Sequence, residues 1–329
     1  MGNCGCKGPE DPGPIENDEE GINKAAFKIE SKIKSNLVNS YFASIQINEL
    51  ANQNPHAPKN AILLYSMPDY SNVNTLATLQ KLGPFEYNAD DPEDANLPTL
   101  GPYELGNLAV YIGQWKDGVR HGRGDQIWRD GSFYQGYWKN NLANGKGRLI
   151  HGDGDVYEGE WLNDKAHGYG KYIHFDGTTY EGEWFEDKQH GRGVGTWPDG
   201  VRYEGQYHMG KKHGQGKFYW SDGSVYEGEF FNDDMQGKGT CVWADGRRYE
   251  GEWKKNKMDG EGKFIWPDGR KYTGQYLDDK KHGYGIFEWP DGSKYKGHWR
   301  KGKQHGKGVY VDSTGKETEG EWADGKRIK

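Results

Sequence analysis

Six histidines recur at one place in a repeated pattern, and they are the first residues here that could do chemistry. Imidazole nitrogens are common ligands of zinc, which they bind at about 2 Å. If the histidines lie on successive β-hairpins, neighbouring imidazoles are two strands, or about 10 Å, apart. We therefore expect no metal site, and we interpret these residues as packing against glycines and ring edges. The six are His121, His167, His190, His213, His282 and His305.

Gly-x-Gly pairs occur throughout the sequence, and glycines so spaced can cradle the phosphates of a nucleotide. Here each pair, such as Gly191 and Gly193, lies inside an alternating, strand-like run and does not precede a helix. No nucleophile, base and orienting group occur together outside the repeated pattern. The sequence therefore predicts no catalytic residue, no cofactor and a protein that is not an enzyme.

The amino terminus offers a third kind of chemistry, covalent lipidation. Its sequence is Met1-Gly-Asn-Cys-Gly-Cys6. After removal of Met1, Gly2 resembles an N-myristoylation site, although the sixth position prefers Ser or Thr and here is Cys6. One myristoyl chain gives marginal membrane binding, and a second acyl chain makes it stable. We predict lipidation at Gly2, Cys4 and Cys6; the alternative is an unmodified, flexible start.

Composition and charge exclude several classes of protein. The 329 residues include 51 Gly, 13 Trp and 22 Tyr, and the mean hydropathy is -1.08. No apolar run approaches the roughly 18 residues that a membrane-spanning helix needs. Residues 1–110 hold 7 Lys and 15 acidic residues, and the rest carries a net charge of only +1. Without a basic excess, nucleic-acid binding is not expected. Three cysteines indicate a reducing compartment.

A period of 23 residues organises the sequence from residue 111 onwards. Each unit begins with Tyr, followed two residues later by Gly and two residues after that by an aromatic residue. This alternation is typical of a strand, and a second alternating run in each unit ends at an Asp-Gly turn. Each unit is therefore predicted to be a two-stranded hairpin. The tyrosines are Tyr111, Tyr134, Tyr157, Tyr180, Tyr203, Tyr226, Tyr249, Tyr272 and Tyr295, with Thr318 in the tenth place.

These hairpins predict an all-β repeat fold, a single-layer, elongated and twisted antiparallel sheet of about 19 strands. In unit four, Tyr180, Gly182 and Trp184 share one face, whereas Glu181 and Glu183 point to the other. A bare glycine lets a neighbouring ring lie flat on the backbone, so the rings replace the second layer that a sheet normally packs against. The opposite face is predicted to carry ladders of Glu with Lys or Arg.

The sequence of unit four, Tyr180-Glu-Gly-Glu-Trp184 with His190-Gly-x-Gly193 and Trp197-Pro-Asp-Gly200, resembles the MORN repeat. The resemblance covers residues 111–329, as nine units and a partial tenth. It implies a scaffold of β-hairpins. MORN proteins occur in ciliary radial spoke heads and in the apical or basal complexes of protists, so the resemblance also suggests a subunit of a cytoskeletal assembly.

The chain is predicted to have four parts. Residues 1–21 form the acylation-like terminus with an acidic linker, residues 22–50 an amphipathic helix, residues 51–100 an irregular segment, and residues 101–329 the repeat sheet. The helix pattern leaves three alternatives open. It could dock on the sheet, pair with a helix of a partner, or lie on a membrane.

Two functions follow from these features. In the first, the protein is a scaffold tethered by lipid to the cytoplasmic side of a membrane, and its aromatic groove binds a helix or extended segment of partner proteins. In the second, it is a structural subunit of a ciliary or cortical cytoskeletal complex. Direct phospholipid binding by the repeats is weakened by glutamates that neutralise the basic residues. A homodimer through terminal strands or the groove stays open.

Eight aromatic residues are the candidates for partner binding. A contiguous apolar patch usually marks an interaction site, and a one-layer sheet with rings along one face has such a patch. The alternative is that the rings only stack on their own glycines. The candidates are Trp184, Trp197, Tyr203, Trp220, Trp243, Trp253, Trp266 and Trp289.

Overall fold

The structure, a computed structural model, describes residues 54–87 and 96–329. The predicted lipidation residues Gly2, Cys4 and Cys6, and the predicted helix over 22–50, lie outside the described residues. The chain divides into two compact units. Among the described residues, the amino-terminal unit ends at Lys188, and the carboxy-terminal unit is Gln189–Lys329. In the described part of the chain, no helix is long and apolar enough to cross a bilayer.

The amino-terminal unit combines a helix with consecutive antiparallel strands. Within this unit, the strands from β2 onwards pair with their neighbours in sequence, and β1 pairs with β2. The elements are β1 Ile62–Leu63, α1 Val73–Leu82, β2 Thr99–Glu104, β3 Val110–Lys116, β4 Val119–Ile127, β5 Phe133–Lys139, β6 Leu142–Ile150, β7 Val156–Leu162, β8 Lys165–Ile173 and β9 Thr179–Phe185.

The carboxy-terminal unit consists of antiparallel hairpins alone among its described residues, and β10 begins at the unit boundary. The predicted fold class is confirmed, because the described chain is nearly all β and follows the hairpin repeat. The strands are β10 Lys188–Thr196, β11 Arg202–His208, β12 Lys211–Tyr219, β13 Val225–Phe231, β14 Asp234–Val242, β15 Arg248–Lys254, β16 Lys257–Ile265, β17 Lys271–Leu277, β18 Lys280–Glu288, β19 Lys294–Arg300, β20 Lys303–Val311, β21 Glu317–Ala323 and β22 Lys326–Arg327.

Two kinds of turn join the strands. Inside a repeat the turn has two residues, both with positive φ, such as Asn232 at 50° and Asp233 at 74°. This is the type I′ pattern that matches the twist of a hairpin. The Asp233 carboxylate also accepts the N–H of Lys212 at 2.9 Å, and so links neighbouring repeats. Between repeats, the Asp199 carboxylate accepts the N–H of Val201 at 3.0 Å and closes the predicted Asp-Gly turn.

The rings lie on bare backbone, as predicted. Gly228 and Gly239 face each other across β13 and β14, and the Tyr226 ring covers both. A Cβ atom placed on Gly239 would lie 2.3 Å from the Tyr226 hydroxyl oxygen. That hydroxyl donates a hydrogen bond to the Glu229 carbonyl at 3.0 Å. The contact therefore excludes any side chain at the glycine while it satisfies the buried hydroxyl.

Residues 51–100, expected to be irregular, contain α1 and β1 within their described part. Leu64 and Leu79 from this segment pack against a buried cluster of Val110, Ile127 and Phe133. In β3, β4 and β5 these cluster residues lie on the face opposite the tyrosine, the face that carries charged side chains in later repeats. The segment thus gives the first repeats a second layer, over the face that we expected to be polar.

Polar contacts fix the position of α1. Asn72 caps the helix by accepting the N–H of Asn74 at 2.9 Å, and its amide donates to the Asp130 carbonyl at 2.9 Å. The buried Thr75 hydroxyl donates to the Gly131 carbonyl at 2.9 Å. The helix therefore bonds to the Asp-Gly turn that follows the first repeat.

The ring-on-glycine contact predicts the effect of adding one methyl group. Gly239→Ala should lower the free energy of unfolding by about 1–3 kcal/mol, because the Tyr226 ring has no space to move aside. Gly106→Ala is the matched control, since a Cβ atom there meets nothing within 4 Å. Chemical denaturation followed by tryptophan fluorescence measures both variants. Equal stability of the two variants would contradict the packing described here.

Candidate functional site

The aromatic face of the carboxy-terminal unit is built in two rows. The first strand of each repeat supplies a Tyr and a second aromatic residue, both buried; we call these the inner row. Neighbouring rings meet edge to face, as in Tyr226 with Trp253, whose centroids are 5.3 Å apart at 86°. The inner row comprises Tyr203, Tyr207, Tyr226, Phe230, Tyr249, Trp253, Tyr272, Tyr276, Tyr295 and Trp299.

The inner row is a continuous packed core. Each Tyr contacts the aromatic residue of its own repeat and that of the next, as Tyr249 does with Trp253 at 5.2 Å and Tyr276 at 5.3 Å. Edge-to-face pairs of this kind are each worth about 0.5–1.5 kcal/mol beyond their burial. Burial raises the pKa of these tyrosines, that of Tyr295 to about 12. The hydroxyls therefore stay protonated at neutral pH and act as donors.

The second row consists of one tryptophan per repeat, placed where the second strand enters the Asp-Gly turn; we call it the outer row. These tryptophans are half-buried, whereas the inner row is buried. They contact the phenylalanines beside them, as Trp266 does with Phe264 at 4.3 Å and Phe287 at 5.7 Å. The outer row comprises Trp197, Trp220, Trp243, Trp266 and Trp289.

The eight predicted partner-binding residues therefore fall into different environments. Five of them are the outer row, which presents partly exposed indoles. Tyr203 and Trp253 belong to the inner row, where they are buried. Trp184 lies in the amino-terminal unit, is also buried, and donates its indole N–H to the Gly170 carbonyl at 3.0 Å. Partner binding stays a prediction, and the geometry favours the outer row as the part of the set that a partner can reach.

The histidines lie on the opposite, charged face. His190 and His213 are bridged by His208 of the strand between them, with ring centroids 5.1 and 5.6 Å apart. Sequence reasoning missed His208, which lies one residue after an aromatic position and so points to this face. Among the described residues, no group of three or more His, Cys, Asp or Glu could hold a metal ion. Cys241 lies on the aromatic face, paired with Tyr226 and Tyr249 of the neighbouring strands, and is fully buried.

Two lysines lie on the aromatic face at equivalent positions of their repeats. The Lys212 ammonium lies 5.5 Å from the Trp197 ring centroid and 3.8 Å from an oxygen of Asp233. The Lys281 ammonium lies 4.5 Å from the centroid of Phe287 and 4.7 Å from that of Trp299. Among the described residues, no carboxylate lies within 4.0 Å of the Lys281 nitrogen.

Burial, and to a smaller extent the nearby Arg270 guanidinium, lowers the pKa of Lys281 to about 8. The rings attract the ammonium through cation–π contacts, yet these contacts do not replace the lost hydration. A partly exposed lysine on the aromatic face thus carries a charge that the fold itself compensates poorly.

Sequence reasoning missed Lys281, although the repeat contains the signal. When the units are aligned, the second residue of each second strand faces the rings and varies freely. It is apolar at Met235 and Met258, and cationic at Lys212 and Lys281. Comparing units column by column, instead of seeking motifs along the chain, would have placed a cation on the aromatic face.

Comparison with known proteins addresses the repeat itself. The family model described as MORN repeat matches nine segments, at 111–133, 134–156, 157–179, 180–202, 203–225, 226–247, 249–269, 272–294 and 295–317. These segments cover more than half of the chain. No curated protein matches the sequence.

Solved structures show only distant likeness. The TCP domain of SAS-4 (dCPAP) of Drosophila melanogaster, in complex with a proline-rich motif of dSTIL, is 15% identical, with a TM-score of 0.31; the match covers 58% of this chain and 99% of that one. The CPAP G-box domain is 16% identical, with a TM-score of 0.30, over 61% of this chain and 100% of that one. Scores this low establish neither a shared fold nor a shared function.

The lowered pKa of Lys281 predicts how stability depends on pH. The difference between its ordinary pKa of 10.5 and about 8 means that folding opposes the charged form. The unfolded chain then binds more protons between these pH values, so this group's contribution to stability rises from pH 8 to pH 10.5. Lys281→Met should stabilise the protein by about 1–2 kcal/mol at pH 7, allowing for solvent screening.

The measurement is the denaturation midpoint of wild type and variant from pH 6 to pH 10.5. The advantage of Lys281→Met should shrink as the pH rises above 8. Lys212→Met is the matched control and should gain less, because the Lys212 ammonium has Asp233 beside it. A pH-independent difference for Lys281→Met would show that its ammonium is not desolvated.

Proposed function

Because this chain belongs to the MORN repeat family and presents a row of partly exposed tryptophans, we propose that it is a non-enzymatic scaffold. Its aromatic face binds a helix or extended segment of a partner protein, and an acylated amino terminus tethers it to a membrane. The outer row is the observation that carries this proposal. Tryptophan is among the residues that contribute most to binding energy at protein interfaces.

In this proposal the inner row stabilises the sheet and the outer row binds the partner. The inner row is buried and holds the strands together, so a partner gains no surface from it. The outer row keeps part of each indole exposed beside a rigid sheet, and the indoles recur once per repeat. Rigid aromatic side chains lose little conformational entropy when a partner covers them, which favours affinity.

The spacing of the outer row limits the form of the partner. Successive outer tryptophans are two strands, or about 10 Å, apart along the sheet. A helix rises about 1.5 Å per residue, so apolar residues about seven apart could meet successive tryptophans. In an extended segment of polyproline II form, at about 3.1 Å per residue and three residues per turn, every third residue would do so. Both forms fit a regular apolar pattern in the partner.

The pairing of charges on the charged face favours a protein, and not a lipid surface, as the partner of the repeats. Its lysines are paired with acidic residues, as Lys217 is with Glu227 at 3.3 Å and Lys296 with Glu317 at 3.1 Å. Anionic lipids attract clusters of basic residues that keep their charge available. We therefore assign membrane attachment to the proposed acyl chains on Gly2, Cys4 and Cys6, and partner binding to the aromatic face.

Removing the outer row should abolish partner capture. Trp266→Ala with Trp289→Ala removes two neighbouring indoles at a modest cost in stability, because both side chains are half-buried. Affinity purification of the full chain from its native cells, followed by mass spectrometry, should show loss of the specific partners. Phe231→Ala is the control: this ring is 55% exposed on the charged face, so its removal should leave capture intact. Unchanged partners in the double variant would refute binding by the outer row.

Fractionation tests the tether. The variant Gly2→Ala with Cys4→Ser and Cys6→Ser should move the protein from the membrane fraction to the soluble fraction, because no acyl chain can then be attached. Metabolic labelling with alkyne analogues of myristate and palmitate identifies the modified residues directly. Retention of the variant in a detergent-insoluble skeleton would instead favour the alternative function, a structural subunit of a ciliary or cortical cytoskeletal complex.

A further inference from the structure

The strongest unexplained feature of the aromatic face is the ammonium of Lys281. Four rings surround it: Phe287 at 4.5 Å, Trp299 at 4.7 Å, Trp266 at 5.2 Å and Tyr272 at 5.3 Å. The side chain is nevertheless partly exposed. A charge withdrawn from water needs an opposite charge beside it, and cation–π contacts supply only part of the compensation.

The repeats contain a matched comparison for this lysine. Lys212 occupies the equivalent position, and the turn of the following strand places Asp233 beside its ammonium. Beside Lys281, the equivalent residue of the following turn is Gly302. The turns have the same geometry, since Asp233 and Gly302 each donate a backbone N–H to the lysine carbonyl, at 3.0 and 2.9 Å. Only the carboxylate is missing.

We propose that Lys281 is the anion-binding position of the aromatic face, and that an acidic side chain of the partner segment supplies the missing carboxylate. This inference rests on the proposed function, in which a protein segment lies along the outer row. The bound segment would place Asp or Glu over Lys281 and apolar residues against Trp266 and Trp289. The carboxylate thus fixes the register of the segment along a row that otherwise repeats.

Charge complementarity favours an acidic peptide with a single key carboxylate. Arg270, the cation that lowers the pKa of Lys281, is already paired with Asp268 at 2.7 Å. One unpaired ammonium among rings matches one anionic group flanked by apolar side chains. An anionic lipid surface gains instead from several available cations, each worth about 1 kcal/mol. A charge pair that forms in desolvated surroundings contributes more than one at an exposed rim.

Selection from a random peptide library tests the proposal. A phage-displayed library of 16-residue peptides is selected in parallel on the full-length wild type, on Lys281→Met and on Gly302→Asp. Lys281→Met should fold, because Met258 occupies the equivalent position in the preceding repeat. Gly302→Asp should also fold, because Asp233 adopts a φ of 74° in the equivalent turn and Gly302 one of 82°. It gives Lys281 the internal counterion that Lys212 already has.

The expected result is enrichment of Asp or Glu at one fixed position between apolar residues on the wild type only. A synthetic peptide from the selection should bind Lys281→Met and Gly302→Asp about tenfold more weakly than wild type. Replacing its acidic residue by Asn or Gln should cost the wild type about the same factor and leave Lys281→Met unaffected. A double-mutant cycle over these four affinities gives the coupling.

The other outcomes separate this inference from the proposed function. Peptides that require Trp266 and Trp289 but show no acidic position would overturn the role of Lys281 and leave the binding function standing. Peptides that bind equally well to Trp266→Ala with Trp289→Ala would overturn both. Binding of phosphatidylserine vesicles by unacylated wild type, lost in Lys281→Met, would assign the ammonium to lipid instead and also overturn the inference.

The pH dependence of peptide binding gives a second readout. The charged and titratable groups around Lys281 are Arg270, which is paired with Asp268, and Tyr272 and Tyr276, whose pKa values burial raises. The pKa of Lys281 itself is about 8, so its ammonium loses its proton first as the pH rises. Affinity should fall by up to about tenfold between pH 7 and pH 9.5, because the neutral amine loses the charge pair that Lys281→Met also lacks. Affinity of Lys281→Met should not change.

Discussion

The structure depends on the contact between a tyrosine ring and two facing glycines. Gly228 and Gly239 pair across neighbouring strands, and the Tyr226 ring lies over both with its hydroxyl bonded to a backbone carbonyl. Because a Cβ atom on Gly239 would collide with the ring, the contact fixes the register of the hairpin. It also gives a single layer of strands a hydrophobic core, since ring and backbone bury each other. The contact recurs every 23 residues and so holds each repeat together.

This constraint decides which aromatic residues can take part in binding. A ring that holds the register has to remain in place, so the inner row is committed to the fold. The tryptophans that precede the Asp-Gly turns, except Trp197 beside Gly195, do not cover glycines in this way, and they keep part of their surface exposed. A one-layer sheet therefore separates, by position within the repeat, the aromatic residues that hold the fold from those that a partner could reach.

Much of the repeat sheet could be predicted from the sequence, because both its period and its turn chemistry are local. Tyr226 and Gly228 indicate a strand with bare backbone at the glycine. The Asp-Gly turns indicate where the chain reverses. The division of the aromatic residues into a buried inner row and a partly exposed outer row could not be predicted, because Trp253 and Trp266 look alike in sequence. Their exposure differs because Trp253 lies between two tyrosines of adjacent repeats, whereas Trp266 lies at the end of a strand.

The covering segment was missed for a related reason. Its helix is ten residues long and carries no motif, so residues 73–82 alone say little. The informative signal lies in the repeats that it covers, where Ile112 and Tyr137 occupy the positions of Glu158 and Glu160 in the third repeat. Loss of charge on one face of a repeat indicates that something else buries that face. Contacts far apart in sequence become predictable only through such departures.

Departures from the repeat also explain how specificity can arise on a surface that repeats. The tyrosine, glycine and aromatic positions cannot vary without loss of the ring-on-backbone contact. The position occupied by Met258 and Lys281 does not take part in that contact. A substitution there can therefore change the chemistry of the aromatic face in one repeat without affecting the others. A charge there is tolerated when the next turn supplies a counterion, as Asp233 does for Lys212. Where that turn has Gly302, the fold accepts an uncompensated ammonium, and a partner that brings a carboxylate gains the compensation that the chain lacks.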